Sequence, residues 1–155
     1  MKKWLVILFA CFVLAGCSAP KFTVTPIATD IPQDKVTIVE HKRTRAVFLD
    51  NMLDWCRDSG KDCKVVRKAS AQGDAPLILN YISRWSWDLR TYIADAKITA
   101  FKQNEKVGEV TFVAPYSANL DKFGNDNKRI QAMMALLFGE LTEKEAQRKI
   151  SDGEM

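Results

Sequence analysis

The stretch LILNYISRWSWDLRTYIADAKITAF, Leu77 to Phe101, decides the fold. Leu77, Leu79, Tyr81, Ser83, Trp85 and Trp87 fall on one face of a strand expected over Leu77–Trp87. Tyr92, Ala94, Ala96, Ile98 and Ala100 fall on one face of the next, expected over Tyr92–Phe101. The DLRT between them reads as a hairpin connection. Side chains as small as Ala94 and Ala96 leave room for a helix to approach that face closely, flanked by the aromatic residues of the partner strand.

Working outward, a turn at Asn104–Lys106 leads to a strand over Gly108–Val113, which completes a three-stranded meander. Upstream, KVTIVEH alternates as a first strand, with Val36 and Ile38 on one face. From Thr44 to Arg57 the spacing places Phe48, Leu49, Met52, Leu53 and Cys56 on a helical stripe. Gly60 suits the left-handed cap after it. CKVVRK is a short second strand, and ASAQGDAP, residues 69–76, reads as a loop. A last helix begins near Asn127 with Asp126 as its N-cap, and buries Ile130, Met133, Met134, Leu137, Phe138 and Leu141. Thr142 and Glu145 have the spacing of a capping box, which restarts a short polar helix. The order strand, helix, strand, meander, helix predicts an α+β two-layer sandwich: an antiparallel-rich sheet with two helices on one face. The domain is expected over residues 36–150.

The N-terminus sets the address. Lys2 and Lys3 precede an apolar run from Trp4 to Gly16, too short for the ~20 residues that cross a bilayer as a helix. A positive start, a short apolar run and small residues before a cut are the marks of an export signal, here residues 1–16. Leu14-Ala15-Gly16-Cys17 resembles a bacterial lipobox. The resemblance implies a diacylglyceryl thioether on Cys17, cleavage before it, and acylation of the new amine. Several acyl chains anchor firmly, at about 0.8 kcal/mol for each buried CH₂. Ser18 stands where an aspartate favours inner-membrane retention in enteric lipoproteins, so the resemblance implies the outer membrane, facing the periplasm. Residues 17–35 hold three prolines and no helical period, and read as a tether. The other reading of this segment makes Phe22–Ile27 an edge strand.

Cys11 leaves with the signal and Cys17 carries lipid, so Cys56 and Cys63 remain. An oxidising compartment makes a disulfide their expected state, bridging the end of the first helix to the next strand around Gly60. Free thiols are the lesser alternative. A redox motif needs Cys-x-x-Cys, which is absent, and a zinc site needs four ligands, with His41 the one histidine. No metal or other cofactor is expected.

YISRWSWDLRTYIADAKI, Tyr81–Ile98, together with the lipobox, resembles a group of small proteobacterial outer-membrane lipoproteins. These carry a Trp-x-Trp-Asp-Leu stretch followed by a tyrosine. More distantly, the element order is similar to periplasmic accessory lipoprotein domains of transport and curli-type secretion machineries. The resemblance implies a location, a fold, and an assembly or accessory role; it assigns no functional residue.

Losing Lys2 and Lys3 lowers the formal charge from +4 to +2. That weak, interspersed balance does not point to nucleic acid. No phosphate-binding glycine loop is present. Asp50, Asp54 and Asp58 read as a solvated helix face. A hydrolytic triad would have to join Ser83 or Ser86 to His41, and catalysis is not expected. The aromatic set Tyr81, Trp85, Trp87 and Tyr92, with Arg84 and Arg90, is the candidate binding surface, because such residues anchor interfaces. The competing reading places the same aromatics in the core beneath a helix. Two functions follow: an outer-membrane-anchored, non-catalytic domain that binds an envelope protein, or a periplasmic module that binds a small ligand or glycan through the aromatic end of the meander.

Overall fold

The computed structural model describes residues 19–67, 77–115 and 119–155. The signal segment, Cys11, Cys17 and the loop expected at 69–76 lie outside the described residues. In chain order the elements are β1 (Lys21–Thr25), β2 (Lys35–Val39), α1 (Ala46–Asp58), β3 (Asp62–Val66), β4 (Ile78–Asp88), β5 (Arg90–Lys102) and β6 (Glu105–Val113). A 3₁₀ turn (Leu120–Phe123), α2 (Asp126–Leu137) and α3 (Glu143–Ser151) follow. One sheet runs β1-β6-β5-β4-β2-β3. The pairs from β1 through β4 are antiparallel, and β2 is parallel to both β3 and β4. The fold is α+β, a mostly antiparallel open sheet with helices layered on one face.

Period-2 patterning explains which face is covered. Phe22, Val36, Ile38, Leu79, Tyr81, Ala96, Ile98, Ala100, Val110 and Phe112 are buried, while their neighbours Thr23, Asn80, Ile82 and Lys97 are exposed. Ala94 and Ala96 are buried, and the close helix approach is seen at Gly108 on β6. A Cβ on Gly108 would stand 2.8 Å from Ile27 Cγ1 and 3.1 Å from Leu137 Cδ1, so α2 seats where the sheet offers almost no side chain. Ile27 N donates to Leu137 O at 2.8 Å, which pins the chain after β1 to the end of α2.

Within the segment read as a tether, the edge-strand alternative holds, over Lys21–Thr25. Lys21–Thr25 pairs antiparallel with Glu109–Val113, and Phe22 packs on Phe112 with ring centroids 5.0 Å apart. Alternating Phe22 and Val24 supply an inward face, which outweighs the prolines on either side. The outer edge of β1 is partly blunted, because Val24 N donates to Glu143 Oε1 at 2.5 Å.

Smaller differences have local causes. The hairpin expected as DLRT closes more tightly, with Asp88 paired to Arg90 and Leu89 alone at the tip with φ 63°. The next turn sits at Gln103–Asn104, one residue early, with both residues at positive φ as a two-residue hairpin requires. Asn125, not Asp126, caps α2: its Oδ1 accepts from Lys128 N at 3.1 Å. Asp126 is thereby released for another contact. Trp55, outside the expected stripe of α1, is buried against Phe138 at 4.7 Å.

Cys56 and Cys63 form a disulfide, with Cα atoms 6.1 Å apart. It ties the end of α1 to edge strand β3 across Gly60, whose φ is 69°. A loop this short constrains the unfolded chain by roughly 2–3 kcal/mol. Replacing both cysteines with serine is expected to lower the unfolding free energy by about that amount. An unchanged urea midpoint in the double variant would show that the bridge adds nothing.

The capping box of α3 is present: Glu145 Oε2 accepts from Thr142 N at 2.9 Å and from its hydroxyl at 2.7 Å. These bonds hold the Glu145 carboxyl below its usual range. A pKa depressed on folding gives stability that is present above the unfolded value of about 4.3 and lost as pH falls through the folded value. Glu145→Gln should flatten that acid limb in denaturant titrations, and an unaltered acid limb would refute the assignment.

Candidate functional site: the β4–β5 hairpin end

The structure splits the candidate aromatic set. Tyr81 is buried, with its ring stacked on Phe48 at 5.4 Å and its hydroxyl accepting from His41 N at 3.2 Å. Burial is the main cause that raises its pKa. Tyr92 is buried edge-on against Phe123 at 5.5 Å. For these two residues the core reading holds: both rings are buried in the domain.

Trp85 is half-buried. Its Nε1 donates to Ser83 Oγ at 2.9 Å, and the Arg45 guanidinium lies 5.0 Å from its ring centroid. Trp87 is 73% exposed and Leu89 80% exposed. Of the two tryptophans that share this strand face, Trp87 is the one that stands free of the domain. The register is also irregular at this end. β4 and β5 slip where Arg84 pairs Asp95 but Trp85 pairs Ile93, leaving Ala94 as the extra residue. Ile93 and Tyr92 both become buried beyond this bulge.

The two arginines of the set are engaged. Arg84 pairs with Asp95 across the strands. Arg90 Nη2 donates to Gly124 O at 3.0 Å, and its guanidinium lies 5.6 Å from the Phe123 ring.

The residue that organises this end was not singled out in the sequence. Arg129 is fully buried in α2 and lies 5.0 Å from the Phe112 ring centroid. Its Nη1 donates to Lys122 O at 2.9 Å, its Nη2 donates to Asp121 O, and Asp126 Oδ1 stands 3.6 Å from Nη1. Burial lowers the Arg129 pKa and raises that of Asp126, while each charge opposes the shift of the other. With its donors on backbone carbonyls, Arg129 remains the cation of the pair. Asp126 Oδ1 also accepts from Ile93 N at 3.3 Å, at the bulge. Lys122, itself buried, reaches Asp88 at 2.5 Å. The signal was available: Arg129 lies four residues before Met133 and beside Ile130, so it falls on the buried stripe.

Two concavities lie elsewhere. A groove of about 440 Å³ runs between the helices, lined by Trp55, Lys128, Glu140, Leu141, Lys149 and Met155 among others. An open depression of about 360 Å³ is lined by His41, Asn80, Tyr81, Ile82, Lys97, Thr99 and Phe101. His41 Nδ1 stands 3.0 Å from Thr44 Oγ1, which also accepts from Ser83 N at 3.3 Å. The Ser83 hydroxyl is engaged by Trp85. Among the described residues no group of three His, Cys, Asp or Glu side chains is placed to hold a metal ion. No described helix is long and apolar enough to cross a membrane.

No protein family and no curated protein matches the chain. Solved structures do resemble it. Two structures of PelC dodecamers from Paraburkholderia phytofirmans share 14% identity with it at a TM-score of 0.51. One match covers 76% of this chain and 94% of PelC, and the other 79% and 98%. A minor lipoprotein from Acinetobacter baumannii is 11% identical over 80% of this chain and 95% of its own, at a TM-score of 0.31, too loose a match to carry an argument. The chain thus has a PelC-like α+β fold.

A Cβ on Gly124 would stand 2.6 Å from the Met155 carbonyl carbon and closer still to Met155 O and Arg129 Nη2. Gly124→Ala should therefore destabilise the protein markedly, since two of those three neighbours belong to the backbone. Arg129→Leu should cost about 3 kcal/mol, because carbonyls of the 3₁₀ turn and Asp126 lose their buried partner. Wild-type melting temperatures in both variants would show that this cluster does not hold the hairpin end.

Proposed function

We propose that this chain is an outer-membrane-anchored, periplasm-facing lipoprotein whose domain is a non-catalytic interaction or accessory module of the cell envelope. The observation that carries the reading is the lipobox Leu14-Ala15-Gly16-Cys17 placed four residues before β1. An anchor joined so directly to a sheet edge suits a domain held at a surface rather than one released to diffuse. Support also comes from the free Trp87 and Leu89, an apolar contact surface the fold leaves uncovered. Its hydroxyl and imidazole groups serve structural bonds: Ser83 with Trp85, and His41 with Thr44.

The partner tested first is a second copy, since PelC, which shares the fold, forms a dodecamer. The small-ligand alternative now rests on the depression lined by His41, Tyr81 and Lys97 rather than on the hairpin end of the aromatic set. Cys17→Ser should yield an uncleaved precursor without palmitate label. A processed, palmitate-labelled Cys17→Ser protein in the outer-membrane fraction would defeat the anchoring reading. Sedimentation of the detergent-solubilised lipoprotein should give a mass several times that of one chain. A strictly monomeric species would move the interaction to a different envelope protein, sought by crosslinking from membranes.

A further inference from the structure

The register of the sheet places the anchored end of the chain and the free hairpin tip on the same side of the molecule. Lys21, the first residue of β1, pairs Val113; Val113 pairs Asp95; Asp95 pairs Arg84. The chain enters the sheet at this row, coming from the N-terminal side. β4 continues past the same row through Trp85, Ser86, Trp87 and Asp88 before it turns at Leu89. Four strand residues extend about 13 Å. The usual twist between neighbouring strands splays β4 from β1 but leaves the hairpin projecting toward the end where the chain enters.

The length between anchor and domain is the second constraint. Pro20 is already buried in the domain, so three bonds of chain separate it from Cys17. Three residues reach at most ~11 Å. Lipid on Cys17 would hold this end of the sheet against the bilayer, with no room for the domain to stand off.

We propose that the hairpin tip, Trp87 and Leu89, inserts into the headgroup region of the leaflet that carries the Cys17 lipid. This rests on the lipid-anchor reading and deepens it: the domain touches the membrane at two points and has a fixed orientation on it. The side-chain chemistry suits that surface. An exposed tryptophan and leucine at a turn present an amphipathic ring and an apolar side chain, the kind of group that settles at a membrane interface. Leu89 is held at φ 63° at the tip of a tight turn, with its side chain exposed. Its base is braced from inside by Lys122 on Asp88 and by Arg90 on Gly124 O. Exposed Lys42, Arg43 and Arg45 lie in the loop that reaches Ser83 through Thr44, and give the same end a cationic rim for anionic headgroups. Asp88 and Asp95, the acids of this end on the strands, face Lys122 and Arg84.

The test uses the full lipidated protein, reconstituted in vesicles of phosphatidylethanolamine and phosphatidylglycerol with bromine on the acyl chains near the headgroup. Flotation with the vesicles reads the anchor; quenching of tryptophan fluorescence in the floated fraction reads the tip. Trp55 and Trp85 remain as internal references within the domain. Wild type should float and be quenched, and Trp87→Phe should float equally but lose most of the quenching. Leu89→Ser should float with reduced quenching of Trp87. Protein that floats without quenching, or quenching retained in Trp87→Phe, overturns the proposal while leaving the anchor intact; a tip covered by a protein partner would show itself in this way. Protein that fails to float overturns the anchor reading instead.

Discussion

The buried guanidinium of Arg129 is the constraint on which the hairpin end depends. A charge removed from water is costly unless its donors find acceptors. Here the acceptors are backbone carbonyls at Asp121 and Lys122, so the 3₁₀ turn must close over α2 for the arginine to be satisfied. Closure brings Phe123 onto Tyr92 and Lys122 to Asp88. The same arginine faces Asp126, whose carboxylate takes the Ile93 amide beside the β4–β5 bulge. One side chain thus couples a turn, a helix start and a strand irregularity. The Nε of Arg129 makes no hydrogen bond and lies in the apolar surroundings of Phe112, which leaves the network tight but not fully compensated.

That network explains what the sequence could and could not reveal. Alternation in β2, β4, β5 and β6, and the stripes of α1 and α2, are local patterns set by which face is buried, and they are legible from one chain. The disulfide was legible because compartment, spacing and Gly60 agree. The β1 segment reads as tether or edge strand alike, because prolines dominate a short window and its inward face exists only once β6 supplies Phe112 for Phe22. Arg129 was passed over because arginine is rarely fully buried, and its partners are carbonyls, which carry no sequence signature. The bulge at Ala94 has no signature either, and neither does the point where the helix layer ends, on which the fate of the aromatic set depends.

That fate concerns function. An alternating strand with Tyr81, Trp85 and Trp87 on one face would bury all three if the helix layer covered its full length. The layer does not. α1 covers Tyr81 through Phe48, and Arg45, just before α1, reaches the edge of Trp85; nothing of the described chain covers Trp87. Strand β4 outruns its helix, and the residues beyond the layer pass from core to surface within four positions. Of these three aromatic residues, Trp87 is the one the fold leaves exposed.

A strand that outruns its helix layer needs other support, since a bare two-stranded ribbon is marginal on its own. The support comes from below: Arg90 and Lys122 pull the 3₁₀ turn against the ribbon, and Asp126 takes the amide at its bulge. Those contacts all lie on the side of the hairpin that holds Tyr92, and none covers Trp87 or Leu89. The polar network therefore does at the hairpin what the apolar core does elsewhere: it fixes the backbone, and it leaves the two large apolar side chains at the tip facing outward. Exposing them costs little stability in the isolated domain, because burying either would require a layer this end of the sheet does not have. What the fold spends its buried charges on is the rigidity of a projecting tip, and rigidity of that kind matters only to whatever the tip meets.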